Sequence, residues 1–171
     1  MTNLEIERKF LIALPSDSLL SSHSECTKRH ITQTYLKKND NETERRVRKT
    51  VLSDNRVVYH YTEKRTVSAT KNATARFEDE HEITAEEYSR LLTEGVSSLT
   101  KTRYAFPYAE HIIEIDVYPH EIGGDALKGY AVMEIEMKDE NEKIEIPPDI
   151  TVIRELTGTR EFSNKALAKP L

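Results

Sequence analysis

At 171 residues, 37% hydrophobic and 32% charged, the chain suits one domain spanning 1–171, whose core must coexist with dense charge. The formal net charge is −5, with 25 Lys and Arg set against 30 Asp and Glu, which argues against a basic nucleic-acid groove. A lone cysteine, Cys26, excludes an internal disulfide framework; with no signal pattern and no apolar run near ~18 residues, a soluble cytoplasmic protein is expected.

Period-2 alternation dominates and predicts strands over 3–12, 29–37, 43–52, 56–65, 74–84, 99–106, 111–118 and 129–138. Between the first two, 15–28 reads as a helix with Leu19 and Leu20 as its apolar contacts. The stretches KNDNE and SDN are turn signals, so the strands beside them should pair as antiparallel hairpins. Residues 85–94 form the clearest helix. Thr84 and Glu87 have capping-box spacing, Tyr88, Leu91 and Leu92 share a stripe, and Gly95 sits where the helix should stop. Pro147 and Pro148 break the chain after the last strand, and the tail FSNKALAKPL reads as a short helix capped by Ser163. There is no internal repeat and no linker.

The polar positions of these strands carry charge in place of the usual Ser, Thr and Gln. Glu5, Glu7 and Lys9 alternate with Ile6, and Glu44, Arg46 and Arg48 with Val47. Thr62 and Lys64 follow, then Arg76, Glu78, Glu80 and Glu82, then Lys101 and Arg103. Glu114 and Asp116 flank Ile115; Glu134, Glu136 and Lys138 alternate with Ile135 and Met137. Any one strand reads as part of an antiparallel sheet with a wet face. The set asks for more. Residues i and i+2 lie about 6–7 Å apart on one face, so each Glu-x-Glu or Arg-x-Arg places like charges together, which destabilises unless the opposite sign lies between.

An α+β domain built as a closed eight-stranded antiparallel β-barrel, a tunnel with a charged interior, accounts for this. The apolar set (Ile6, Val47, Ile115, Ile135, Met137) then packs outward under a few helices. A lumen of both signs suits a polyanion carrying divalent cations. Arg and Lys grip phosphate oxygens, and paired carboxylates hold Mg²⁺ or Mn²⁺, which bridges to the phosphates. With only five glycines and no glycine-rich phosphate loop, side chains must do the holding.

Taken in order, these motifs resemble the CYTH domain, or triphosphate tunnel metalloenzyme, superfamily. The resemblance rests on E-x-E-x-K at Glu5, Glu7 and Lys9, R-x-R at Arg46 and Arg48, T-x-K at Thr62 and Lys64, and R-x-E-x-E at Arg76, Glu78 and Glu80. It continues through K-x-R at Lys101 and Arg103, E-I-D at Glu114 and Asp116, E-I-E at Glu134 and Glu136, and the ending REFSNKALA. It covers essentially the whole chain and implies a tunnel that binds triphosphate compounds with Mg²⁺ or Mn²⁺. Family activities include inorganic triphosphatase, thiamine-triphosphatase and class IV adenylate cyclase. Carried over by motif, Lys9, Arg46, Arg48, Lys64, Arg76, Lys101 and Arg103 would hold phosphates. Glu5, Glu7, Glu78, Glu80, Glu114, Asp116, Glu134 and Glu136 would hold metal, directly or through water. One departure is the polar stretch RTVSATKNATA between Lys64 and Arg76, longer than the compact turn of the family, which leaves Glu78/Glu80 and Glu80/Glu82 as alternative functional pairs.

The leading expectation is a divalent-metal-dependent hydrolase of a triphosphate compound, first of all inorganic tripolyphosphate, with Glu5, Glu7 and Lys9 as the catalytic set. A class IV adenylate cyclase would need a nucleoside pocket at the tunnel mouth. A thiamine triphosphatase would need an aromatic or acidic platform, for which Tyr35, Tyr59, Tyr61 and Tyr104 are available, although tyrosines in alternating strands usually pack. A non-catalytic polyphosphate-binding module would not need so many inward carboxylates. The expected partner is a small-molecule triphosphate, with no nucleic acid and no membrane, on a monomer or homodimer. Three features stand apart. His23, Cys26 and His30 read as a solvated helix and strand start rather than a zinc site. Arg8 points by parity away from the lumen, exposed or ion-paired outside. Lys165 is either a tunnel-mouth residue or a solvated helix lysine.

Overall fold

The computed structural model describes residues 3–70 and 73–171. All eight expected strands form: β1 (Asn3–Ala13), β2 (Thr27–Leu36), β3 (Glu44–Val51), β4 (Val57–Ala69), β5 (Thr74–Ile83), β6 (Gly95–Tyr108), β7 (His111–Val117) and β8 (Tyr130–Met137). They pair antiparallel in the order β6-β2-β3-β4-β5-β1-β8-β7, and β7 returns to β6. The sheet is closed, which removes its edges.

Two short strands lie off the ring, and the stagger of the barrel explains both. β5 pairs with β1 only from Asn3 to Glu7; beyond it, β9 (Val152–Glu155) takes up Phe10 to Ile12. β7 pairs with β6 from Thr102 to Tyr108, and β10 (Lys169–Pro170) takes up Ser97 and Ser98. Each satisfies backbone groups that the slanted ring leaves open. At four and two residues, neither is long enough to show a period in the sequence. The polar stretch after Lys64 is strand rather than loop as far as Ala69, with a register shift between Thr66 and Ser68. Lys71 and Asn72, which follow in the same stretch, lie outside the described residues.

The helix expected over 15–28 shortens to α1 (Asp17–Ser21), because Glu25 takes a left-handed conformation (φ 59°) and β2 begins at Thr27. α2 (Ala85–Leu92) starts as read: Thr84 accepts a hydrogen bond from the Glu87 amide. α3 (His120–Gly123) and a 3₁₀ turn (Asp125–Leu127) join β7 to β8. Ser163 caps α4 (Asn164–Leu167). Among the described residues no helix is long and apolar enough to cross a membrane.

Three apolar clusters hold the barrel. Outside, Phe10, Ile12, Phe106, Ile113, Ile115, Met133 and Ile135 pack beneath Leu20 of α1. On another wall, Val47, Leu36 and Ile83 meet Tyr88 and Leu91 of α2. The third cluster is inside. Leu11, Tyr35, Leu99 and Val132 share the parity of Lys9, Gln33, Lys101 and Glu134, and they meet Ile122, Leu127, Leu156 and Leu167. The lumen is thus charged over most of its length and filled by an apolar plug where β1 ends.

Candidate functional site

All eight barrel strands send side chains into one cavity of ≈ 730 Å³, and Lys38, Asn41, Glu42 and residues from 159–166 complete its wall. Eleven Lys or Arg residues and eight glutamates line it, an excess of cations inside a chain whose net charge is −5.

Register fixes which charges meet. Glu44, Lys64 and Glu78 lie abreast on β3, β4 and β5, and Glu5 lies opposite Arg76. Lys64 Nζ sits 2.7 Å from Glu5 and 3.4 Å from Glu78. Arg48 donates to Glu80 at 2.9 Å, and the Thr62 hydroxyl donates to the same carboxylate at 2.9 Å. Across the lumen Arg103 grips Asp116 through Nε at 2.7 Å and Nη2 at 2.8 Å, and reaches Glu114 at 2.8 Å. Lys101 Nζ donates to Asp116 at 2.7 Å and to Asn164 at 3.2 Å. Tyr118 also donates to Asn164, which ties α4 to this wall.

Three donors are left over. The Nε atoms of Arg46, Arg48 and Arg76 are buried without a partner among the described residues. A buried unpaired donor costs about 1–3 kcal/mol, and all three arginines line the same cavity. The lining is poised for a ligand rich in acceptor oxygens.

The carboxylates are just as unevenly served. Glu7 is pushed up to about 8 by burial, with Glu134 and Glu5 adding repulsion. Glu78 is pushed up to about 7 by burial, which outweighs Lys64, and by its hydrogen bond with Glu5. Burial also opposes the charge on Glu5 and Glu134, but both stay below the usual carboxylate range: Lys64 holds Glu5, while Lys9 and Arg103 hold Glu134. Glu136 is raised by burial and by Glu5 and Glu114. Glu7 lies within hydrogen-bond reach of Glu134, and Glu5 of Glu78. Crowded hard oxygens whose repulsion a cation would relieve fit Mg²⁺ or Mn²⁺. Among the described residues, no three His, Cys, Asp or Glu side chains converge closely enough to hold a metal alone. The remaining ligands would come from a bound phosphate and water, the usual manner of Mg²⁺.

Of the expected site residues, Glu5, Glu7, Lys9, Arg46, Arg48, Lys64, Arg76, Glu78, Glu80, Lys101, Arg103, Glu114 and Glu134 line the cavity. Asp116 lies behind the lining, saturated by Lys101 and Arg103. Glu136 is exposed on β8, opposite Glu7. Glu82 is exposed opposite His60, so Glu78 and Glu80 are the pair that faces the lumen. Sequence reasoning passed over Arg29, Gln33, Arg160 and Asn164, which also line it. The run Arg29-x-Ile31-x-Gln33-x-Tyr35 does alternate, but with a single charge.

The residues set apart in the sequence divide between the outer wall and the lumen. Arg8 pairs with Glu155 at 2.7 Å on the outer wall. Lys165 lines the cavity, 3.9 Å from Glu44. His23 stacks on Phe106 at 3.9 Å, and His30 contacts the Thr102 hydroxyl. Tyr59 packs on Tyr88, Tyr61 donates to Glu63, and Tyr104 donates to Asp17. Tyr35 lines the cavity, but its ring belongs to the apolar plug.

A closed antiparallel barrel with rows of Arg, Lys and Glu turned inward defines a class of protein whose lumen can hold a polyanion by side chains alone. The chain belongs to the CYTH family: the CYTH domain matches residues 3–166. The fold is similar to the crystal structure of the inorganic triphosphatase NE1496, with 25% identity and a TM-score of 0.57, covering 96% of this chain and 93% of that one. A second structure, described as the hypothetical protein NE1496, gives 26% identity and a TM-score of 0.56 over 96% of this chain and 97% of that one. The putative adenylyl cyclase HpAC1 from Hippeastrum, described as having a dominant triphosphatase activity, shares 18% identity with a TM-score of 0.50. That match covers 79% of this chain and 80% of the other, and is a likeness of fold. No curated protein matches the chain.

Proposed function

We propose that the chain is a divalent-metal-dependent hydrolase that cleaves inorganic tripolyphosphate to diphosphate and orthophosphate. The observation that carries this is that Arg46, Arg48 and Arg76, three of the eleven cations lining one cavity, each keep a buried Nε donor without a partner among the described residues. A ligand that satisfies them presents anionic oxygens along its whole length. The similarity to the inorganic triphosphatase NE1496 supports the same reading.

Lys9, Arg46, Arg48, Lys64, Arg76, Lys101 and Arg103 hold phosphate oxygens. Asp116 fixes Lys101 and Arg103 in place beforehand, so little reorganisation is needed when charge develops. Glu5, Glu7 and Glu134 would hold Mg²⁺ or Mn²⁺, with Glu78, Glu80, Glu114 and Glu136 as further donors. When bound, the ion supplies neutralisation of the leaving diphosphate and a more acidic water. Water oxygen bonds to the terminal phosphorus, the bridging P–O bond breaks, and diphosphate leaves with its electron pair. The carboxylate of Glu5, which Lys64 at 2.7 Å keeps ionised near neutral pH, takes the proton from the water.

The test offers the protein tripolyphosphate, ATP and thiamine triphosphate, with Mg²⁺, with Mn²⁺, and with chelator. Orthophosphate and diphosphate should appear from tripolyphosphate only with metal. Cyclic AMP plus pyrophosphate from ATP would overturn the reading in favour of a cyclase. Release from none of the three would favour a polyphosphate-binding module.

A further inference from the structure

A second cavity of ≈ 210 Å³ adjoins the first. Glu7, Lys9, Thr66, Arg76, Thr159 and Arg160 line both, so the smaller space is a side branch of the lumen. The barrel's stagger accounts for its place. β5 leaves β1 at the pair Glu7 and Thr74, and β9 joins β1 only from Phe10. Between them the loop after β9 spans the gap. Leu156 N donates to Lys9 O at 2.8 Å, and Lys9 N donates to the Thr157 hydroxyl at 2.9 Å. Gly158, at φ +76°, brings this loop so near the end of β4 that a Cβ there would lie 2.6 Å from Thr70 O. The branch is therefore walled by a loop anchored on Lys9 itself.

Its chemistry is that of a small anion site. Lys9, Arg76 and Arg160 line it against one carboxyl, Glu7, and Thr66 and Thr74 add hydroxyl groups. The Nε of Arg76 is buried without a partner among the described residues.

We propose that this branch is a second anion subsite, which holds orthophosphate while diphosphate is still held in the main cavity. The origin of that phosphate rests on the triphosphatase reading; the affinity of the branch for orthophosphate does not.

The experiment is calorimetric titration of orthophosphate into the whole protein, alone and saturated with diphosphate, for wild type, Arg160→Ala and Arg160→Lys. Orthophosphate should bind the diphosphate-loaded protein. Arg160→Ala should weaken that binding about tenfold, the size expected for one charged hydrogen-bonding group, and Arg160→Lys should restore part of it. Diphosphate affinity should fall by less than orthophosphate affinity in the Arg160 variants, whose side chain also lines the main cavity, and inhibition of turnover by orthophosphate should weaken in parallel. Ala69→Trp, which fills the branch from the hairpin side, should act as Arg160→Ala does. Absence of orthophosphate binding to the diphosphate-loaded protein would overturn the subsite. So would equal loss of orthophosphate and diphosphate affinity in Arg160→Ala. Orthophosphate binding as expected in a protein that leaves tripolyphosphate intact would sink the hydrolase reading and support the subsite.

Discussion

Lys101 Nζ lies 2.7 Å from Asp116 Oδ2, with only 1% and 2% of the two side chains exposed. Arg103 adds two more hydrogen bonds to the same carboxylate, which holds Asp116 well below the usual carboxylate range despite its burial. An acid so fully engaged anchors two cations and has little left for a metal. Asp116→Ala should therefore destabilise the fold by about 3–5 kcal/mol, the cost of stranding buried partners, as read by urea denaturation. The Mn²⁺ affinity of the folded protein should stay within about twofold. A tenfold loss of metal affinity without loss of stability would return Asp116 to the metal set.

Arg76 is the converse case. It makes no ion pair among the described residues, and its Nε is buried and unpartnered. Arg76→Ala strands nothing and removes a buried unpaired donor, so the ligand-free protein should be at least as stable as wild type. The KM for tripolyphosphate should rise about ten- to a hundredfold, as for loss of a charge-assisted hydrogen bond. Steady-state kinetics and thermal melts on the same sample check both halves. A large drop in melting temperature with KM unchanged would make Arg76 structural.

Glu7 and Glu5 separate function from stability in another way. Below about pH 8 metal-free Glu7 keeps its proton, so Gln is close to the form already present. At pH 7 Glu7→Gln should melt at or above the wild-type temperature without metal, while metal-dependent turnover falls about a hundredfold. Glu5→Gln should lose turnover too, but it also frees Lys64 from its 2.7 Å partner and should cost some stability. Unchanged turnover in the double variant would remove this pair from the metal site.

The ring of strands was legible because alternation reports which side of a sheet each residue faces, and charge on the inner side is rare enough to stand out. The inward set from Glu5 to Glu134 follows from parity alone. Parity is silent on depth along the barrel axis. It placed Asp116 and Glu136 with the lining, although one is sealed behind it and the other is exposed. Nor could parity show that Leu11, Leu99 and Val132, on the same inner face as the charges, close one end. That needs the helices that meet them, and α3 and α4 are four residues each. Arg160 enters the cavity from an irregular segment and Asn164 from the single turn of α4, neither of which is long enough to show a period.

The raised carboxyls give the protein a pH dependence with a definite sign. Glu7 near 8 and Glu78 near 7 both sit above their ordinary 4.5. Their contribution to stability is complete below about 4.5 and is lost as pH rises through 7 to 8, because the folded state resists losing those protons. Asp116, with its affinity lowered, contributes in the opposite sense, and its share is lost only in strong acid. The metal-free protein should therefore melt at lower temperature at pH 8 than at pH 5.5. A divalent cation competes for the same oxygens, so it must displace protons at low pH and need not at high pH. Added Mg²⁺ should raise the melting temperature more at pH 8 than at pH 5.5. Calorimetry in buffers of different ionisation enthalpy should show proton release on Mn²⁺ binding at pH 6 that fades toward pH 9. A Mg²⁺ effect independent of pH would mean that the cation does not bind at Glu7 and Glu78, since no other arrangement of charge at those carboxyls lets it bind without displacing their protons.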